Sequence, residues 1–177
     1  MNLSGDNFKE LVRPYLLSGL KKGIPSLFAD IKGLYNDQSK QQTIEDIVEA
    51  AREESVPNSS VASSQSSMDP TAYLWTLYFL AQHYSFVSRP ARALAVLDMA
   101  LSHTPTLPEL YTCKARVLKR AGDLLGAARC LDEARLLDGQ DRFLNTKSAK
   151  YQLRAGLVDE ASAILGLFTK VCTFFPG

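Results

Sequence analysis

Apolar residues recur along this chain at spacings of three and four, as expected for helices that bury one face. Between residues 6 and 20, Phe8, Leu11, Val12, Tyr15 and Leu16 share such a face. Pro14 interrupts it and is expected to kink the helix or shift its start, since proline has no amide hydrogen to donate. Lys22-Gly23-Ile24-Pro25 reads as a break, with Pro25 in the first turn of a second helix. That helix presents Leu27, Phe28, Ile31, Leu34 and Tyr35, and a third, from about Ser39 to Glu54, presents Ile44, Ile47, Val48 and Ala51. Residues 1–54 are thus a diverged helical repeat region whose apolar stripes are too wide to leave in water. The pattern lapses over 55–69, where seven serines stand among little that could be buried, so a flexible surface loop is expected. Asp69-Pro70-Thr71 then caps the next helix.

From residue 70 to 170 the helical pattern repeats itself. Ala81, Ala115 and Ala149 stand 34 apart, as do Ala93, Ala127 and Ala161, and again Leu97, Leu131 and Leu165. A 34-residue step in a helix-forming sequence is the length of a tetratricopeptide repeat, two antiparallel helices joined by a short turn. The alanine columns fall where paired helices approach most closely and only a small side chain fits. The turns fall at Ser88, Gly122 and Gly156, where a left-handed residue ends the first helix of each pair. The expected fold is therefore all-α, a tetratricopeptide-type superhelical solenoid of antiparallel helix pairs. Its three repeats cover about 74–107, 108–141 and 142–170. Leu165, Leu167 and Phe168 would be covered by a further helix in such a stack, and the chain is expected to be an internal portion of something longer.

Composition changes this picture little. With 46% hydrophobic and 22% charged residues and a net charge of +1, the chain can bury a core and is no obvious nucleic-acid binder. The charge is unevenly placed. Residues 1–69 hold seven Lys and Arg against ten Asp and Glu, whereas 108–170 hold eleven against eight. Cys113, Cys130 and Cys172 lack metal-ligand spacing and are odd in number, so reduced thiols and a cytoplasmic protein are expected. Neither a leader nor a membrane-spanning run is read in the sequence.

Candidate chemistry is sparse. His83 and His103 lie on or at the end of helices with no ligand partners at local spacing, and both read as structural. No nucleophile elbow, phosphate-binding loop or zinc-protease motif occurs, nor the Arg/Gln-x-x-Gly-x-Gly/Ala loop that binds acyl-coenzyme A, so the chain is not read as an enzyme. The first helices of the repeats are expected to face a groove. Trp75, Tyr78, Phe79 and Gln82 would line it in the first repeat, Thr112, Cys113, Arg116, Lys119 and Arg120 in the second. Phe143, Thr146, Lys147, Lys150 and Arg154 follow in the third. No acidic residue lies between Arg142 and Arg154, which leaves a cationic face beside Phe143, an aromatic that the repeat pattern does not require.

Several stretches resemble one family. Leu77-Tyr78-Phe79-Leu80-Ala81-Gln82-His83-Tyr84, His103-Thr104-Pro105-Thr106-Leu107-Pro108-Glu109-Leu110 and Asp141-Arg142-Phe143-Leu144-Asn145-Thr146-Lys147 are similar to the auxiliary subunit of the N-terminal acetyltransferase A complex, NatA. So is Lys22-Gly23-Ile24-Pro25-Ser26-Leu27-Phe28. The likeness covers roughly 6–170, leaving 171–177 as a tail outside it. It implies a ribosome-anchoring helical scaffold that wraps a small catalytic acetyltransferase subunit, which acetylates nascent chains beginning with small residues. It further implies that Asp141, Arg142 and Phe143 contact the catalytic subunit. No cofactor is implied, but inositol hexakisphosphate is, as a structural ligand near that junction. On chemistry, Lys114, Lys119, Arg120, Lys147, Lys150 and Arg154 are its candidates, because a multiply charged phosphate needs convergent cations. No membrane and no direct, sequence-specific nucleic-acid partner is expected. The competing reading is a generic tetratricopeptide adaptor that binds peptides, such as a chaperone cofactor.

Overall fold

A computed structural model describes residues 5–55 and 70–167. The Ser-rich stretch beyond Ser55, the capping Asp69, Phe168, Cys172 and the 171–177 tail lie outside the described residues. All regular structure among those described is helical. The chain divides into two compact units, residues 1–104 and 105–177.

The first unit contains α1 (Gly5–Lys21), α2 (Leu27–Ile31), a 3-10 helix (Lys32–Asn36), α3 (Gln38–Glu54), α4 (Pro70–Phe86) and α5 (Pro90–His103). Helix α1 runs through Pro14, which is exposed and cannot donate to the Glu10 carbonyl. The buried stripe of α1 is Phe8, Val12, Leu16 and Leu20, while Leu11 and Tyr15, expected on it, are exposed. Ser26 is the N-cap of α2, so Pro25 precedes the helix and does not lie in its first turn, and the second helix is one turn of α-helix that tightens into the 3-10 helix. That tightening turns Tyr35 inward. Gly23 makes the approach of this corner to α4 possible. Its φ is +64°, and a Cβ there would stand 2.6 Å from Trp75 Nε1.

Helix α4 is apolar nearly all round because α1, α2, α3 and α5 all pack on it. Phe28 of α2 stacks edge-on against Phe79 at 5.6 Å between centroids. A polar chain threads this core. His83, fully buried, is 2.6 Å from Tyr35 Oη through Nδ1 and 3.1 Å from Glu45 through Nε2. The arrangement fits a neutral imidazole that accepts from the tyrosine and donates to the carboxylate. Arg89 and Arg92 reach Glu45 from the mouth, at 2.9 and 3.5 Å, and Tyr84 donates to Glu49. Burial first, then the neighbouring Arg89, holds the His83 pKa below its usual 6.5 against the pull of Glu45 and Glu49. The structural reading of His83 thus has partners in α3 and the 3-10 helix that local spacing could not reveal.

The second unit is α6 (Pro108–Arg120), α7 (Leu124–Leu137), α8 (Arg142–Arg154) and α9 (Val158–Gly166), each packed on the next. The close-approach alanines of both units are at most 1% exposed. Ser88, Gly122 and Gly156 all have positive φ. At each turn the amide of Arg89, Asp123 or Leu157 returns to the carbonyl of Tyr84, Leu118 or Gln152, at 2.8, 3.0 and 2.9 Å. One helix stop is thus built three times, 34 residues apart. Leu97 and Leu131 are fully buried, whereas Leu165 is 45% exposed.

Candidate partner-docking and anion-binding site

The residues with candidate chemistry gather on α6 and α8 in the second unit. Asp141 is the N-cap of α8, and its carboxylate accepts from the amides of Phe143 at 2.7 Å and Leu144 at 3.3 Å. Asn145 fastens the same turn by donating to the carbonyls of Gly139 and Asp141. Asp141 therefore acts by ordering the first turn of α8. The result is that Phe143 stands outward, 65% exposed, beside the exposed Arg142. Lys147, one turn on, lies 4.9 Å from the centre of the Phe143 ring.

Behind Phe143 the cations converge. Lys147 is partly buried, and its pKa is pushed down by that burial and then by Arg116 and Lys119, with the Cys113 thiol acting the other way. Burial drives the pKa of Cys113 up to about 11, opposed by the charges of Arg116, Arg120 and Lys147. Lys119 and Arg154 share the ring of Tyr151, at 5.5 and 5.6 Å from its centre. Tyr151 is itself buried with Ala115, Ala127, Ala128 and Leu131, which fixes the ring on which both cations rest. Such a set of cations can hold a group of several negative charges.

The structure regroups the expected residues. Lys119, Arg120, Lys147 and Arg154 belong to this cluster, and Lys150 is exposed on the same helix as Lys147. Lys114 acts on the Cys130 thiol of α7. Arg116, expected in the groove but not in the anion set, couples directly to Lys147. Its spacing of three from Lys119 was the signal that could have included it. Several residues expected to line a groove are buried instead: Tyr78, Phe79, Thr112 and Cys113. Trp75 packs edge-on to Tyr78 at 5.5 Å. No cluster of His, Cys, Asp and Glu among the described residues could hold a metal ion, and no helix among them is long and apolar enough to cross a membrane.

Comparison with known proteins gives this geometry a context. The family model of the N-terminal acetyltransferase A auxiliary subunit matches residues 1–173, three residues past the point where the likeness was expected to stop. The N-terminal acetyltransferase A complex auxiliary subunit NAA15 of Arabidopsis thaliana is 41% identical over 168 residues, 95% of this chain and 19% of that protein. N-alpha-acetyltransferase 16, NatA auxiliary subunit, of Homo sapiens is 38% identical over 169 residues, 94% of this chain and 19% of that protein. The chain thus spans about a fifth of the length of these relatives. A solved structure of Naa15/Naa10 bound to HypK-THB matches with a TM-score of 0.83 at 38% identity, over 97% of this chain and 25% of the other. MamA AMB-1 matches with a TM-score of 0.53 at 13% identity, over 94% of this chain and 96% of the other, a likeness of fold alone. Those two matches agree with the all-α, tetratricopeptide-type arrangement of helix pairs. With the family model spanning nearly its whole length, this chain belongs to the N-terminal acetyltransferase A auxiliary-subunit family.

Proposed function

We propose that this chain is a non-catalytic scaffold segment that binds and positions the catalytic subunit of an N-terminal acetyltransferase complex, through the first turn of α8. The observation that carries this reading is Phe143, a large aromatic two-thirds exposed on a turn that Asp141 and Asn145 hold rigid. An exposed aromatic carried on a backbone already held in place is what an interface anchor needs. Arg142 adds charge beside it, and the family relationship supplies the kind of partner. The catalytic work belongs to that partner, which acts on nascent chains in the cytoplasm, with the scaffold linking it to the ribosome. Phe143→Ala is expected to weaken association with the catalytic subunit by about 2 kcal/mol, as central aromatic anchors do, while leaving the fold intact. Co-purification and titration calorimetry read this directly, and unchanged affinity overturns the reading. The family match disfavours the generic adaptor.

The cluster of Arg116, Lys119, Arg120, Lys147 and Arg154 is the place for an inositol polyphosphate such as inositol hexakisphosphate. A ligand that binds only the folded chain raises its thermal midpoint. The increase is expected at low salt and should shrink as salt screens the charges. Lys147→Gln together with Lys119→Gln should abolish it. No shift at low salt would dispose of the ligand.

A further inference from the structure

Position 83 is where the first unit departs from the repeat template. Steps of 34 from His83 reach Val117 and Tyr151, so the helical hairpin does not call for an imidazole there. This one is fully buried in α4 and ties down two elements outside the α4–α5 hairpin, the 3-10 helix through Tyr35 and α3 through Glu45. The ionisable groups that bear on it come from four elements. Tyr35 belongs to the 3-10 helix, Glu45 and Glu49 to α3, Tyr84 to α4 itself, and Arg89 and Arg92 to the start of α5, where both reach Glu45.

These hydrogen bonds suit one protonation state. With its proton on Nε2, the neutral imidazole donates to Glu45 and accepts the Tyr35 hydroxyl. A second proton, on Nδ1, would point at that hydroxyl from 2.6 Å and force the tyrosine to turn its own hydrogen elsewhere. It would also set a third cation beside Arg89 and Arg92 on a single buried carboxylate. The 3-10 helix is the element with least to resist the conflict. Tyr35 is its one buried residue, and Lys32, Gly33 and Asn36 are exposed. The Tyr35 ring packs edge-on against Phe28 and Phe86, each at 5.4 Å between centroids, and Phe86 is itself 46% exposed. A five-residue segment held by one side chain opens at lower cost than the longer helices around it. We infer that Tyr35 and His83 form an acid-sensitive latch: a proton taken from solvent by the imidazole releases the Tyr35 hydroxyl, and the 3-10 helix lifts from α4 while α3, α4 and α5 stay folded. Opening bares the aromatic edge of Phe28 and Phe86 that Tyr35 otherwise covers. This device lies in the first unit and does not rest on the docking role of α8.

The test is nuclear magnetic resonance of the full chain between pH 7.5 and 5.5. At pH 7.5 the imidazole nitrogen shifts of His83 should show a protonated Nε2 and a bare Nδ1. Hydrogen exchange at the Tyr35, Asn36 and Asp37 amides, corrected for intrinsic rates, should lose protection as the pH falls. The loss should reach at most about 10-fold at pH 5.5, the ceiling for a histidine that titrates near 6.5 once freed. Amides in the middle of α3 and α4 should keep their protection. His83→Gln should flatten the pH dependence at the 3-10 helix, whereas His103→Gln, at an exposed histidine of the same unit, should leave it as it was. Protection at residues 35–37 that is indifferent to pH, that falls together with the middle of α4, or that loses its pH dependence in His103→Gln would each overturn the inference, as would a protonated Nδ1 at pH 7.5.

Discussion

Helices α4 and α8 take the same place in the 34-residue template and are built of different material. Leu77, Leu80 and Tyr84 of α4 correspond to Asn145, Ser148 and Gln152 of α8, and all six are buried. Around α4, helices α1, α2 and α3 add to its own partner α5, so most of its length is buried. Around α8, within its unit, stand α7 and α9, with Ala115 and Lys119 of α6 reaching Tyr151. Asn145 Oδ1, Ser148 Oγ and Gln152 Oε1 are buried there with no hydrogen-bond partner among the described residues. Identical spacing therefore does not mean identical work. The first unit uses its leading helix as a core element, and the second keeps polar atoms and charge on the corresponding helix at a cost to its own stability.

Exchanging residue types between the two helices breaks this comparison most sharply. Leu80→Ser places in α4 the residue that α8 carries at the same position. It should destabilise by about 4 kcal/mol, from the lost transfer of a fully buried leucine, the cavity and the hydroxyl left without cover. Urea denaturation measures it, and a loss under about 1 kcal/mol would show that α4 is not the apolar pillar described. A smaller effect comes from pH. The His83 pKa lies below 6.5 in the folded protein, so the unfolded chain takes up the proton first as the pH falls. Stability should be full above about pH 7 and decline as the pH drops through about 6.5. Thermal midpoints across that range should show a shallower decline in His83→Gln. Smallest, and opposite in sign, is Gln152→Leu. It removes an unserved acceptor and adds apolar burial, and should stabilise by about 1 kcal/mol. A loss of stability there would mean that Gln152 is better satisfied than its surroundings imply.

What could be read from the sequence was whatever repeats at fixed local spacing. The alanine columns and the turns at Ser88, Gly122 and Gly156 follow from close helix approach and left-handed backbone, which recur every 34 residues whatever lies nearby. Contacts across long separations were not legible. Glu45 and Tyr35 lie 38 and 48 residues from His83 and meet it only because α3 and the 3-10 helix pack on α4. Phe79 was expected to face a groove because helical periodicity gives direction without saying what covers it, and Phe28 does so. At the candidate site, the charge of α8 and the exposure of Phe143 were legible. The role of Asp141 as a cap is local and matches an Asp just before the helix, whereas the regrouping of Lys114 and Arg116 depends on how α6, α7 and α8 are rotated against each other. Periodicity within a single helix does not contain that information.

The corner formed by Gly23 and the indole of Trp75 has a practical consequence. Trp75 is the chain's one tryptophan, and it sits against a backbone that leaves no room for a side chain at position 23. Its emission colour is therefore a built-in optical gauge of whether the α1–α2 corner is seated on α4, and helices α6 to α9 contribute no tryptophan signal of their own.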